Sequence, residues 1–114
     1  MNWIVYLATD NTLSFYLDGH HASTGAVPIA AWSYIALIRN GNTLTFYIDG
    51  IASGTMDMTG ITVTTTGGIA IGGIGAGMLG TNSWGDSGYL EDVRIDRVAR
   101  YTGNFTPPVS PETP

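Results

Sequence analysis

Cysteine and lysine are both absent from the 114 residues. Without cysteine there is no disulfide framework and no thiolate metal site. That fits a cytosolic protein or a virion component made in a cytosol, and it does not exclude secretion. Without lysine the only side-chain cations at neutral pH are four arginines, set against nine Asp and Glu for a formal net charge of -5. A partner held through its phosphates needs a basic patch, so nucleic acid is excluded as a partner. An anionic membrane surface is excluded by the same shortage of cations. The opening stretch MNWIVYLATDN has neither a basic leader nor a long apolar run. No signal peptide and no membrane-spanning helix is read from it. Strong helix formers are scarce, and no segment carries a convincing helical period.

What remains is glycine and apolar side chains. Sixteen glycines and 44% apolar residues describe a foldable chain built from strands and tight turns, of a size that suits one core. One phrase occurs twice. TLSFYLDG runs from Thr12 to Gly19, and TLTFYIDG runs from Thr43 to Gly50. In each, apolar and polar side chains alternate: Leu13, Phe15 and Leu17 against Ser14, Tyr16 and Asp18, then Leu44, Phe46 and Ile48 against Thr45, Tyr47 and Asp49. A period of two means half-buried strands. Asp18-Gly19, Asn40-Gly41 and Asp49-Gly50 supply residues that tolerate positive φ, as a tight type I′ hairpin requires. Asp10-Asn11 is a weaker version. The reading is hairpins pairing about 3–9 with 12–18 and about 33–39 with 43–49, the second continuing into 51–54. Two copies are too few for a solenoid, so the repetition is one hairpin recipe used twice. Its turns are expected to matter for stability rather than binding.

Further on, 61–65 and 67–74 read as short β-rich runs, and 75–88 as a long glycine-rich loop. GYLEDVRIDRV, from Gly88 to Val98, reads as one long strand, and VARYTG as a single helical turn. The tail from Pro107 to Pro114 reads as a linker or frayed end, because proline cannot donate to a ladder. The class is all-β, an antiparallel β-sandwich.

These residues resemble a known family. WSYIALIRNGNTLTFYIDG is similar to the central hairpin of laminin-G-like, concanavalin A-like jelly-roll domains. GYLEDVRIDRVARYTGNFTPP resembles the C-terminal signature of the version found in bacteriophage tail and virion proteins. The resemblance implies a two-sheet jelly roll over residues 1–106 with a Pro-rich tail at 107–114. It further implies a chain that lacks the family's N-terminal strands, in a virion or extracellular surface assembly. Residues 3–9 are apolar on both faces, which leads to the expectation that a second copy or a neighbouring protein covers them. The expected role is a non-catalytic structural or adhesion module. The alternatives are a carbohydrate-binding, lectin-like domain and, less favoured, a glycoside hydrolase.

The candidate chemistry is sparse. Trp84, with Asn82 and Asp86, can stack on a sugar ring and bond its hydroxyls, or can fold back as a lid over the sheet. Calcium is the metal the relatives imply, with hard oxygen ligands from Asp86, Asn82 and Asp57. His20 and His21, with Asp18, carry metal-ligating atoms on what reads as an exposed turn. A glycosidase needs two carboxylates across the scissile bond. The chain has only two Glu, and Glu91 and Asp92, adjacent on a strand, would point to opposite faces. Asp92 is expected to pair with Arg94 or to cap backbone groups. GAGMLG, from Gly75 to Gly80, matches a dinucleotide fingerprint, but no helix follows it to face a pyrophosphate. Arg100 and Tyr101 are expected to anchor the C-terminal segment to the sandwich.

Overall fold

The computed structural model describes residues 3–63 and 89–108. Six strands form two three-stranded antiparallel meanders. The first comprises β1 (Ile4–Leu7), β2 (Thr12–Tyr16) and β3 (His20–Ala26), and the second β4 (Ile35–Asn40), β5 (Thr43–Ile48) and β6 (Ile51–Asp57). The repeated phrase is the central strand of each. Central strands pair on both edges, so the recurrence of Thr-Leu-x-Phe-Tyr reflects two positions with the same demand.

The loops follow local chemistry. Between β1 and β2, the Asn11 amide donates to the Ala8 carbonyl and Asn11 sits at φ 65°, a turn closed by a left-handed residue. Between β4 and β5 the loop residues are Gly41 and Asn42. Asn40 is the last residue of β4 and pairs with Thr43, one position away from the turn expected at Asn40-Gly41. Gly41 alone has positive φ there, at 62°, the pattern of a type II′ hairpin. Asp49 and Gly50, at φ 53° and 82°, make a two-residue type I′ turn between paired Ile48 and Ile51. Asp18 and Gly19 share the positive φ, at 53° and 109°. However, Tyr16 pairs with His20, which leaves three residues in that loop. The one-residue difference turns β3 over relative to β6.

Both meanders are bulged, at places two residues apart in the repeated phrase. Register slips opposite Leu13 in the first and opposite Phe46 in the second. At the first bulge the Ser23 hydroxyl accepts the Leu13 amide at 3.0 Å and donates to the Gly25 carbonyl at 2.6 Å. A buried side chain thus replaces a ladder bond. The two bulges meet. Ser53 Oγ accepts the Gly25 amide at 2.9 Å and lies 3.3 Å from Thr24 Oγ1. Gly54, at φ 103°, lies against Thr24, where a Cβ would come within 3.3 Å of its backbone nitrogen. The third strands therefore join through side-chain bonds, and the inner faces close on one core. Leu13, Phe15, Leu17 and Val27 come from the first half, and Leu44, Phe46, Met56 and Met58 from the second. Trp3, Leu37, Ile48 and Ile61 pack at its rim.

Several expected elements differ. His20 and His21 open strand β3 instead of decorating a turn, because their register with Phe15 and Tyr16 makes them strand residues. Residues 61–63 form no strand, because Ile61 closes a turn by donating to the Met58 carbonyl at 3.0 Å. Residues 64–88, with the runs and glycine-rich loop expected there, lie outside the described residues. Residues 89–98 join no strand ladder. Asp92 at φ 54° interrupts the extended backbone that their alternation suggests. No helical turn forms at 98–103; the chain bends instead.

Candidate binding groove on the second sheet

Strand alternation places Ile38 opposite Thr45, Asn40 opposite Thr43 and Ala36 opposite Tyr47, on the face of the second sheet away from the core. This outer face is partly roofed by the C-terminal segment. The Phe105 amide donates to the Gly50 carbonyl at 2.9 Å, and Asn104 Oδ1 accepts the Ala52 amide at 2.9 Å. The Phe105 ring packs edge-on to Tyr34 and tilted against Tyr47, with centroids 5.8 and 5.3 Å apart. It stacks on Tyr101 at 3.7 Å and 7°. Tyr47 is consequently only 4% exposed, although it lies on the outer face. Asp49 anchors the floor at both ends of its residue: its amide donates to the Tyr34 carbonyl, and its Oδ1 accepts the Tyr34 amide.

Between sheet and strap lies a groove of about 240 Å³, lined by Ile38, Asn40, Thr43, Thr45, Tyr47, Tyr101 and Thr102. Among the described residues its lining carries amide, hydroxyl and aromatic groups and no Asp, Glu, Arg or His. An uncharged lining does not compensate the desolvation of an ionic ligand. A neutral ligand with many hydroxyls and an apolar ring face matches it, since Thr and Asn both donate and accept. Tyr101 stacks on Phe105 within the C-terminal segment, Phe105 makes the ring contacts to Tyr34 and Tyr47, and the Tyr101 ring forms a wall of the groove.

Sequence reasoning missed this site. Thr43, Thr45 and Tyr47 were legible as the polar face of β5. Nothing in the sequence indicates that residues 101–105 return to cover that face.

The residues nominated from sequence are placed as follows. Trp84, Asn82 and Asp86 lie outside the described residues, as does the segment 75–80. Asp57 is engaged in a turn: its Oδ1 accepts the Thr59 amide at 2.9 Å and the Thr59 hydroxyl at 2.6 Å. Gly60, at φ 75°, completes that turn. No group of three or more His, Asp or Glu side chains able to hold a metal occurs among the described residues. His20 and His21 are neighbours on a strand and so face opposite sides. His20 bonds the Tyr6 hydroxyl and packs edge-on against Tyr6 and Tyr16. His21 Nε2 is buried without a partner. One ion therefore cannot take both rings. Arg94 Nε pairs with Asp96 at 3.1 Å on the exposed surface.

Asp10 repeats the arrangement of Asp57, accepting the Thr12 hydroxyl at 2.7 Å and the Thr12 amide at 3.0 Å. In both, the Thr hydroxyl and then the Thr amide bond hold the carboxyl below its ordinary value. A depressed folded pKa contributes stability that is present above the unfolded value of about 3.9 and lost as pH falls through the folded one. Carboxyl resonances of Asp10 and Asp57 are expected to titrate below about 3.9. Midpoints at or above that value would contradict the two turns.

A family model described as Concanavalin A-like lectin/glucanases superfamily (Laminin_G_3) matches residues 2–103. No curated protein and no solved structure matches the chain. The match spans nearly the whole chain, and it agrees with two antiparallel sheets closing on one apolar core with no helix among the described residues. The chain therefore belongs to the concanavalin A-like lectin/glucanase superfamily.

Proposed function

We propose that the chain is a non-catalytic adhesion module that holds a neutral saccharide in the groove between the outer face of β4–β5 and the C-terminal strap. The observation that carries this reading is the lining itself: Asn40, Thr43, Thr45 and Thr102 beside Tyr47 and Tyr101, with no carboxylate among the described residues. A glycosidase would need two carboxylates about 5–5.5 Å apart for retention or about 6.5–9.5 Å apart for inversion, and the described lining supplies none. The similarity of GYLEDVRIDRVARYTGNFTPP to phage tail and virion domains supports a setting in a virion or surface assembly.

A neutral-glycan array, run with and without calcium and followed by a reducing-sugar assay, tests the proposal. Saturable binding without release of reducing ends is the expected outcome. Release of reducing ends would make the chain a hydrolase. Thr45→Val keeps the side-chain volume and removes one hydroxyl. It is expected to weaken binding roughly three- to tenfold, the worth of one neutral hydrogen bond. Unchanged affinity would remove Thr45 from the site.

One observation favours a second, structural reading. Among the described residues β1 is an edge strand, and Val5 and Leu7, 37% and 44% exposed, share a face with the buried Phe15 and Leu13. A second copy or a neighbouring protein laid along β1 would complete that face. Light scattering that shows a monomer at high micromolar concentration would count against self-pairing.

A further inference from the structure

The groove's two walls come from parts of the chain that are far apart in sequence. Thr45 and Tyr47 belong to the sheet, and Tyr101 and Thr102 belong to the strap. The strap's hydrogen bonds to the sheet lie at one turn and the strand that follows it. The Gly50 carbonyl accepts the Phe105 amide, the Ala52 amide donates to Asn104, and Gly50 itself leaves the space that the strap occupies. A Cβ on Gly50 would fall 1.9 Å from the Phe105 carbonyl oxygen and 3.1 Å from Pro107 Cδ. The equivalent position in the first meander, Gly19, has among the described residues only His21 Nε2 near it, at 3.9 Å. Both turns need glycine for positive φ, but only the second needs it for room.

We propose that residues 101–107 are a latch whose docking at Gly50 assembles the groove. Phe105 is its positioning residue, and a neutral saccharide bridging Thr45 and Tyr101 is coupled to the docked state. This rests on the saccharide reading of the groove. Phe105 reaches the groove through two lining rings, Tyr101, which it holds by parallel stacking, and Tyr47, against which it packs at 5.3 Å. The latch grips the outer face of one sheet, whereas the core lies between the two inner faces. It can therefore open by local release while both meanders stay folded. A ligand that touches both walls binds only the docked state, so it shifts the latch towards docking, and by reciprocity a weakened latch lowers apparent affinity. Gly50 then matters for binding as well as for stability, which sets it apart from Gly19.

The experiment uses the full chain. Amide hydrogen exchange is followed at Phe105 and Ala52 on the latch bonds and at Leu44 and Phe46 in the core. The latch amides are expected to exchange together and at least about tenfold faster than the core amides. Exchange at the core rate would show that the strap opens only on global unfolding, and would overturn the latch. The neutral-glycan array is then repeated on Gly50→Ala, Phe105→Leu and Gly19→Ala. Phe105→Leu keeps an apolar anchor and loses the stack, and is expected to weaken binding about tenfold. Gly50→Ala is expected to weaken it at least as much, with exchange accelerated more at Phe105 and Ala52 than at Phe46. Gly19→Ala is expected to leave binding as it was. If the parent binds a glycan and all three variants bind it equally, the latch is wrong and the saccharide reading stands. If the parent binds no glycan while its latch amides still open separately, the saccharide reading and the coupling both fail.

Discussion

Gly50→Val is expected to lower the thermal midpoint by roughly 10–20 °C, and Gly19→Val by only about 4–8 °C. A side chain at positive φ costs about 1–2 kcal/mol in either turn. At Gly50 the added carbon also meets the Phe105 carbonyl, so the strap must leave. Leaving breaks the Phe105–Gly50 hydrogen bond, worth about 0.5–1.5 kcal/mol. It also exposes the half-buried Phe105 side chain, worth about half of the roughly 1.5–3 kcal/mol of a fully buried one. Together these terms reach about 2–5 kcal/mol, against about 1–2 kcal/mol for the φ term alone. Calorimetry on the two variants checks the difference. Equal shifts would mean that the strap contributes nothing at Gly50.

The second large effect belongs to the shared core. Phe46 is fully buried on the central strand of the second meander, opposite its bulge. Phe46→Ala is expected to cost about 3–5 kcal/mol, a large part of the roughly 5–15 kcal/mol that holds a domain together. Leu13, also fully buried, joins the same core from the other meander, and Leu13→Ala is expected to cost about 2–5 kcal/mol. Since one core serves both sheets, urea should unfold the β2 and β5 amides of either variant at the same midpoint. If β2 stayed folded while β5 melted in Phe46→Ala, the two meanders would have to be separate units.

The hairpins were legible because their signals are local. Alternation in Leu13–Leu17 and Leu44–Ile48, and a residue tolerant of positive φ beside each, determine strand and turn within about ten residues. The third strands were less legible. HHASTGA carries no apolar alternation, and its place is set by pairing with β2 and by the Ser23 and Ser53 bonds at the bulges. The turn at Gly41 shows the usual limit on boundaries: Asn-Gly marked the place, and register decided which two residues it contains. At Val93 and Ile95 the alternation misled, since Asp92 has positive φ and no ladder forms at 89–98. Site legibility followed the same division. Thr43, Thr45 and Tyr47 announced a polar strand face, but the return of Tyr101 and Phe105 over it is a contact across more than fifty residues. No local pattern encodes such a contact. Asp57, nominated as a metal ligand, instead closes its own turn through Thr59.

The most direct test of the central claim is an amide chemical-shift titration of the full chain with an oligosaccharide selected on the neutral-glycan array. The account predicts that perturbations concentrate at Asn40, Thr43, Thr45, Tyr101 and Thr102, with slower exchange at Phe105 as the ligand saturates. Perturbations confined to Asn82, Trp84 and Asp86, with the groove amides unmoved, would contradict it.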